Sequence, residues 1–107
     1  MSELRYKSKR SKATDIPKKT KEIVWERDNH CCIVCGSPYG MPNAHYISRA
    51  HGGLGIEQNI VTLCQTCHDR YDNGDKREEY GTWIRAYLKS KYPDWDEEKL
   101  YYQKWND

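Results

Sequence analysis

Cys32-Ile33-Val34-Cys35-Gly36, then Ala44-His45-Tyr46-Ile47-Ser48-Arg49-Ala50-His51-Gly52-Gly53, then Asn59-Ile60-Val61-Thr62-Leu63-Cys64-Gln65-Thr66-Cys67-His68 form the stretch that decides the fold of this chain. Two Cys-x-x-Cys pairs enclose His45 and Asn59, and His68 follows the last cysteine directly. A two-residue spacer lets both sulfurs of a pair reach one ion, and two pairs complete a tetrahedral shell, which predicts a structural zinc held by Cys32, Cys35, Cys64 and Cys67. The gap between the pairs exceeds short zinc-ribbon spacings, so a chain segment carrying His45 and Asn59 is inserted between the two knuckles. Cys31 is the spare thiol: its neighbour Cys32 has the spacing to Cys35 and the following Gly36.

The rest of the chain makes that ion important. At 107 residues it is read as one domain, and its apolar supply is thin: no Phe, with much of the bulk in nine Tyr and four Trp. A structural zinc contributes roughly 10–16 kcal/mol at neutral pH, against a few for the net stability of a domain this size. An odd count of five cysteines with no preceding apolar signal segment argues against a disulfide framework. No apolar run reaches the length of a membrane span, so a cytoplasmic protein is expected, with no membrane partner.

The net charge of +2 hides an asymmetry. Eight Lys and Arg fall within residues 1–21. A basic arm beside a metal-bound body suits a phosphate backbone, because each neutralised phosphate releases counterions. The arm, residues 1–13, has no hydrophobic period and is expected to be flexible. Its Arg5, Lys7, Lys9, Arg10 and Lys12 are candidate DNA contacts, together with Arg49 in the loop after His45.

Residues 14–107 are expected to form the single domain. Asp15-Ile16-Pro17 signals the start of a helix over 18–28, with Ile23, Val24 and Arg27 at helical spacing. The apolar runs 44–47 and 60–63 read as an antiparallel strand pair joined by a long loop with Gly52, Gly53 and Gly55. A helix over 65–72 begins inside the second knuckle, and Asn73-Gly74-Asp75 stops it. A second helix over 76–92 carries Tyr80, Trp83, Ile84, Tyr87 and Leu88 on one face, read as core rather than as a base-stacking platform. Asp94 and Glu97 form a capping-box pattern that opens a last helix with Leu100, Tyr101 and Trp105.

His68 and Asp72 lie one helical turn apart on one face, a spacing at which imidazole and carboxylate can share a divalent ion. A second, separate His can then serve as general base near neutral pH. Phosphodiester cleavage needs these parts: a base to activate water, and a hard cation to polarise the phosphate. The adjacent Cys67 lets the zinc pin the end of the helix that presents His68.

The set resembles the HNH endonucleases, in particular the small zinc-stabilised type common in phages, over about residues 18–75. The resemblance rests on Cys32/Cys35 with Gly36, His45 with Gly52-Gly53, the run from Asn59 to Cys64, and Cys67-His68. It implies an α+β fold with a ββα-metal (His-Me finger) core, flanking helices from about residue 76, and cleavage of double-stranded DNA, with nicking as one form. It implies His45 as general base and His68 as ligand to Mg2+, Mn2+ or another divalent transition ion. Asp72 stands where the family often has a second helix ligand. Asn59 either binds that ion or orients the loop bearing His45. The residue before the catalytic His is commonly a ligand in the family; here it is Ala44, and the position three after that His is Ser48 rather than Pro. A catalytically silent zinc module holding DNA or a protein is the alternative. A monomer is expected, with the aromatic C-terminal helices as a possible dimer surface. For a phage protein the location would be the bacterial host cell.

Overall fold

The computed structural model describes residues 8–103. Its elements in chain order are α1 (Lys9–Thr14), α2 (Lys18–Arg27), β1 (Met41–His45), a 3-10 turn (Arg49–His51), β2 (Ile60–Leu63), α3 (Gln65–Asp72), α4 (Arg77–Lys91) and a second 3-10 turn (Glu97–Leu100). This is an α+β fold: one two-stranded antiparallel sheet with helices packed on it. Among the described residues, no helix is long and apolar enough to cross a membrane.

The strand pair sits where the apolar runs foretold, with one shift. β1 starts at Met41, and its pairing is irregular between Met41 and Ala44, where Pro42 has no N–H to donate. Beyond His45 the pairing continues through other atoms. The Tyr46 N–H bonds the Asn59 carbonyl at 2.8 Å, and the Ile47 N–H bonds the Asn59 side-chain oxygen at 2.8 Å. The side chain of Asn59 thus does the work of one more strand residue.

The core and the cysteine cluster are one body. Cys32, Cys64 and Cys67 are buried together with Ala44, Val61, Leu63, Tyr71, Ile84 and Leu88. The aromatic stripe of α4 follows: Tyr80 and Tyr87 pack against this cluster, whereas Trp83 is half exposed and donates its Nε1 to the Ile33 carbonyl at 2.9 Å.

The C-terminal end of α2 is tied in by charge. Ile23 lies at the surface, Val24 is buried, and Arg27 donates to both oxygens of buried Asp28 and to the carbonyls of Glu57 and Ile60. Asp28 also accepts the Thr62 N–H at 2.8 Å and the Tyr87 hydroxyl at 2.6 Å. One carboxylate therefore connects α2, β2 and α4.

Both ends of the described chain depart from expectation. The described end of the arm 1–13, expected to have no regular structure, runs with Thr14 into a short helix, Lys9–Thr14, capped by the Ser8 hydroxyl. Its Thr14 is buried, and the Ala13 carbonyl accepts the Gly55 N–H at 2.9 Å. The last helix is only a 3-10 turn, capped by Asp96 rather than Asp94. The chain then extends, because Leu100 is buried and Tyr101 pairs with Gly53 across the long loop. A side chain at Gly53 would collide with the Ile47 carbonyl, so this close approach requires glycine. Arg5, Lys7 and Trp105 lie outside the described residues.

Candidate active site

The four cysteines converge as their spacing predicts. Their Sγ atoms all lie within 4.8 Å of one another, and Cys35 and Cys64 are 3.6 Å apart. Sulfurs at tetrahedral corners about 2.3 Å from an ion sit about 3.8 Å apart, so this set fits a tetrathiolate metal site. All five cysteines are free thiols, and Cys31 turns away to the Asp28 carbonyl. Burial opposes ionisation of Cys32, but backbone hydrogen bonds from Cys35, Cys64 and Val34 outweigh it and bring the thiol down to about 7. A donor set with one thiol already near its thiolate form favours a metal over a dry thiol cluster.

The cluster positions α3. Cys64 occupies the N-cap place without a side-chain cap bond, and its carbonyl accepts the His68 N–H at 2.8 Å. An ion on the four sulfurs would hold the first turn from which His68 projects. Cys67 and Tyr71 face the core, while His68 and Asp72 face an open cleft and meet at 2.9 Å.

His45, the last residue of β1, lines the same cleft. Its Nε2 lies 2.9 Å from the Thr14 carbonyl. A carbonyl only accepts, so Nε2 carries the proton, and Nδ1 is left as the basic nitrogen. Burial lowers the His45 pKa; the hydrogen bond to Thr14 opposes this, and the charge of Arg49 adds to it. The ring is thus held in its neutral form near neutral pH and oriented by Thr14.

The structure brings His45, His68 and Asp72 together, but not Asn59. Asn59 is fully buried; it accepts from Ile47 and donates to the carbonyls of Ile47 at 3.1 Å and Leu54 at 2.8 Å. With both ends of its carboxamide engaged, it straps the loop that follows His45. Ala44 is likewise no ligand position: it is fully buried in the core cluster, since alternate strand residues face opposite sides. Arg49 stands at the cleft rim, paired with Asp15 at 2.6 Å. Of the basic arm, Lys9, Arg10 and Lys12 are exposed, and Arg10 donates to the Ala50 carbonyl at 2.9 Å.

Two contributors were not legible in the chain. The Thr14 carbonyl is a backbone atom and leaves no residue signal. Arg77 lines the cleft only because α4 packs against α3, where its guanidinium lies over the Tyr71 ring. His51 joins the wall through its Nδ1, 2.7 Å from the Ser48 hydroxyl.

Among the described residues, the four cysteines are the one group of three or more metal-binding side chains whose ligand atoms converge. The cleft itself offers an imidazole and a carboxylate, which leaves other coordination positions of an ion to water or substrate oxygen.

A family model described as HNH endonuclease matches residues 32–74. A protein named Anaredoxin, from Nostoc sp., is 32% identical over 59 residues, a span covering 54% of this chain and 78% of that protein. The two cysteine pairs that bracket the strand pair, and the histidines that line one cleft, all fall within the stretch matched by the family model: residues 32–74 of this chain are an HNH endonuclease domain.

Proposed function

We propose that the protein is a metal-dependent endonuclease that hydrolyses a phosphodiester bond of double-stranded DNA, one strand at a time. The observation that supports this most is the neutral His45 ring, tied by Nε2 to Thr14 and lining one cleft with His68 and Asp72. In this reading His45 Nδ1 takes a proton from water as the water oxygen bonds to phosphorus and the ester bond to the departing sugar oxygen breaks, and that oxygen takes up a proton from solvent. His68 and Asp72 hold a divalent ion, Mg2+, Mn2+ or another transition ion, which when bound supplies positive charge to the phosphate oxygens. Asn59 acts as a positioning residue for the His45 loop. The four cysteines hold zinc. Lys9, Arg10, Lys12 and Arg49, with Arg5 and Lys7 beyond the described residues, contact DNA phosphates. Residues 14–107 form the working domain, as a monomer.

Plasmid nicking with Mg2+, Mn2+ or EDTA, beside a His45→Ala control, tests the reading. Nicking is expected with metal and not with EDTA. Cleavage by His45→Ala at the parental rate would remove His45 from the mechanism.

A further inference from the structure

The cleft does not end at the His68–Asp72 pair. Ser48, His51 and Arg77 also form one wall of a second cavity, about 600 Å³, between the end of β1, α4 and Tyr101. That volume lies within the range of roughly 300–1,000 Å³ typical of ligand sites. Its lining carries two guanidiniums (Arg77, and Arg85 paired with Glu97) and the Thr82 hydroxyl, with Glu78 as its carboxylate, and guanidinium with hydroxyl is a combination suited to a phosphate.

One residue has no structural reason to be what it is. Gly81 lies inside α4, where glycine costs about 1 kcal/mol relative to alanine. Its backbone is not in the left-handed region, and an added Cβ would meet only the Tyr71 ring edge, at 3.4 Å. Neither conformation nor a backbone approach demands glycine here. What its bare surface does is leave the cavity wall open.

We infer that this cavity is a nucleotide subsite: it takes the sugar and phosphate of the nucleotide next to the scissile phosphate, with Arg77 at the shared rim bridging the two sites. The inference rests on the nuclease reading above and extends it to the substrate strand. The cavity joins residues on both sides of the end of the family-model match: Tyr46, Ser48 and His51 within it, Arg77, Thr82 and Arg85 beyond it.

The test uses the full chain with His45→Ala, so that binding is read without cleavage. Fluorescence anisotropy with a short labelled DNA duplex gives Kd for the parent, Gly81→Leu, Thr82→Glu and Gly81→Ala. Leucine fills the cavity, glutamate puts a carboxylate on its wall at an exposed helix position, and alanine is the control for helix folding. Gly81→Leu and Thr82→Glu are expected to bind about tenfold more weakly, the loss of roughly one charge-assisted phosphate contact, with Gly81→Ala close to the parent. Parental affinity in both cavity variants overturns the inference. If Gly81→Leu fails to fold, Thr82→Glu alone decides. Nicking is assayed separately with His45 restored: absence of nicking in the wild-type chain sinks the nuclease reading, whereas intact nicking with unchanged Kd in the cavity variants sinks only the subsite.

Discussion

His45 and Ala44 are neighbours in one strand with opposite fates. His45 faces the cleft, and its replacement by Ala should lower the nicking rate by about 10²–10⁴ while leaving the thermal melt intact, since the ring is only half-buried. Burial lowers its pKa, so the fold prefers the neutral ring. The unfolded chain takes up a proton near pH 6.5, before the folded chain does. This contribution to stability is therefore present above pH 6.5 and is lost as the pH falls through the lower folded value. The acid limb of kcat/KM should lie below pH 6.5, and Arg49→Ala should move it upward, because the Arg49 charge helps to depress the pKa. An unmoved limb would show that another group titrates. Ala44 faces the core. The family comparison made it look like a missing ligand, and a carboxylate there would look like a repair. In the structure Ala44→Asp buries an unpaired charge, at a cost of about 3–5 kcal/mol in urea unfolding, and does not reduce the Mg2+ needed for nicking. Tighter metal binding in that variant would refute the placement of Ala44.

At the scale of elements, α2, the strand pair, α3 and α4 were legible because each has a hydrophobic period and a chemical stop signal. The two ends were not, because what shapes them is distant. α1 is short and has no apolar stripe; it is ordered by the loop it touches through Arg10 and Ala13. The Glu97–Leu100 turn has a cap residue but extends after Leu100 to meet Gly53. The basic tail therefore supports the cleft that His45 lines, since Thr14 follows directly from it. Deleting residues 1–13 should lower kcat, by removing the support of the Thr14 carbonyl, as well as raise KM. Lys9→Glu with Lys12→Glu, on exposed positions, should raise KM and make the salt dependence shallower, through lost phosphate contacts, with kcat retained. Loss of kcat in the charge variants would assign the arm a different role. Asp28 is the corresponding anchor elsewhere: Asp28→Ala strands the buried Arg27 charge and should cost about 3–5 kcal/mol by denaturant titration.

For the whole molecule, the question is what replaces the apolar mass this chain lacks. The answer legible in the sequence was two cysteine pairs, and the structure adds where they sit. Three of the four sulfurs lie inside the main hydrophobic cluster rather than on a peripheral knuckle. Without an ion, four thiols packed this closely cannot all ionise, and burial with neighbouring sulfur pushes the Cys67 thiol well above its ordinary value. With an ion, the same sulfurs tie the Cys32 loop, β2 and the start of α3 to one point, and His68 stands one turn along from it. Fold and active-site geometry thus share a single support. Elemental analysis should find one zinc per chain, and a strong chelator should unfold the protein and abolish nicking together, since the binding energy of a structural site is folding energy. Cys67→Ser should behave as the chelated protein does. Cys31→Ser should melt with the parent, because its sulfur touches only the Asp28 carbonyl. A chain that keeps its far-UV spectrum and cooperative melt after complete zinc removal would show that Ile84, Leu88 and their neighbours suffice alone, and that the cysteines serve something other than stability.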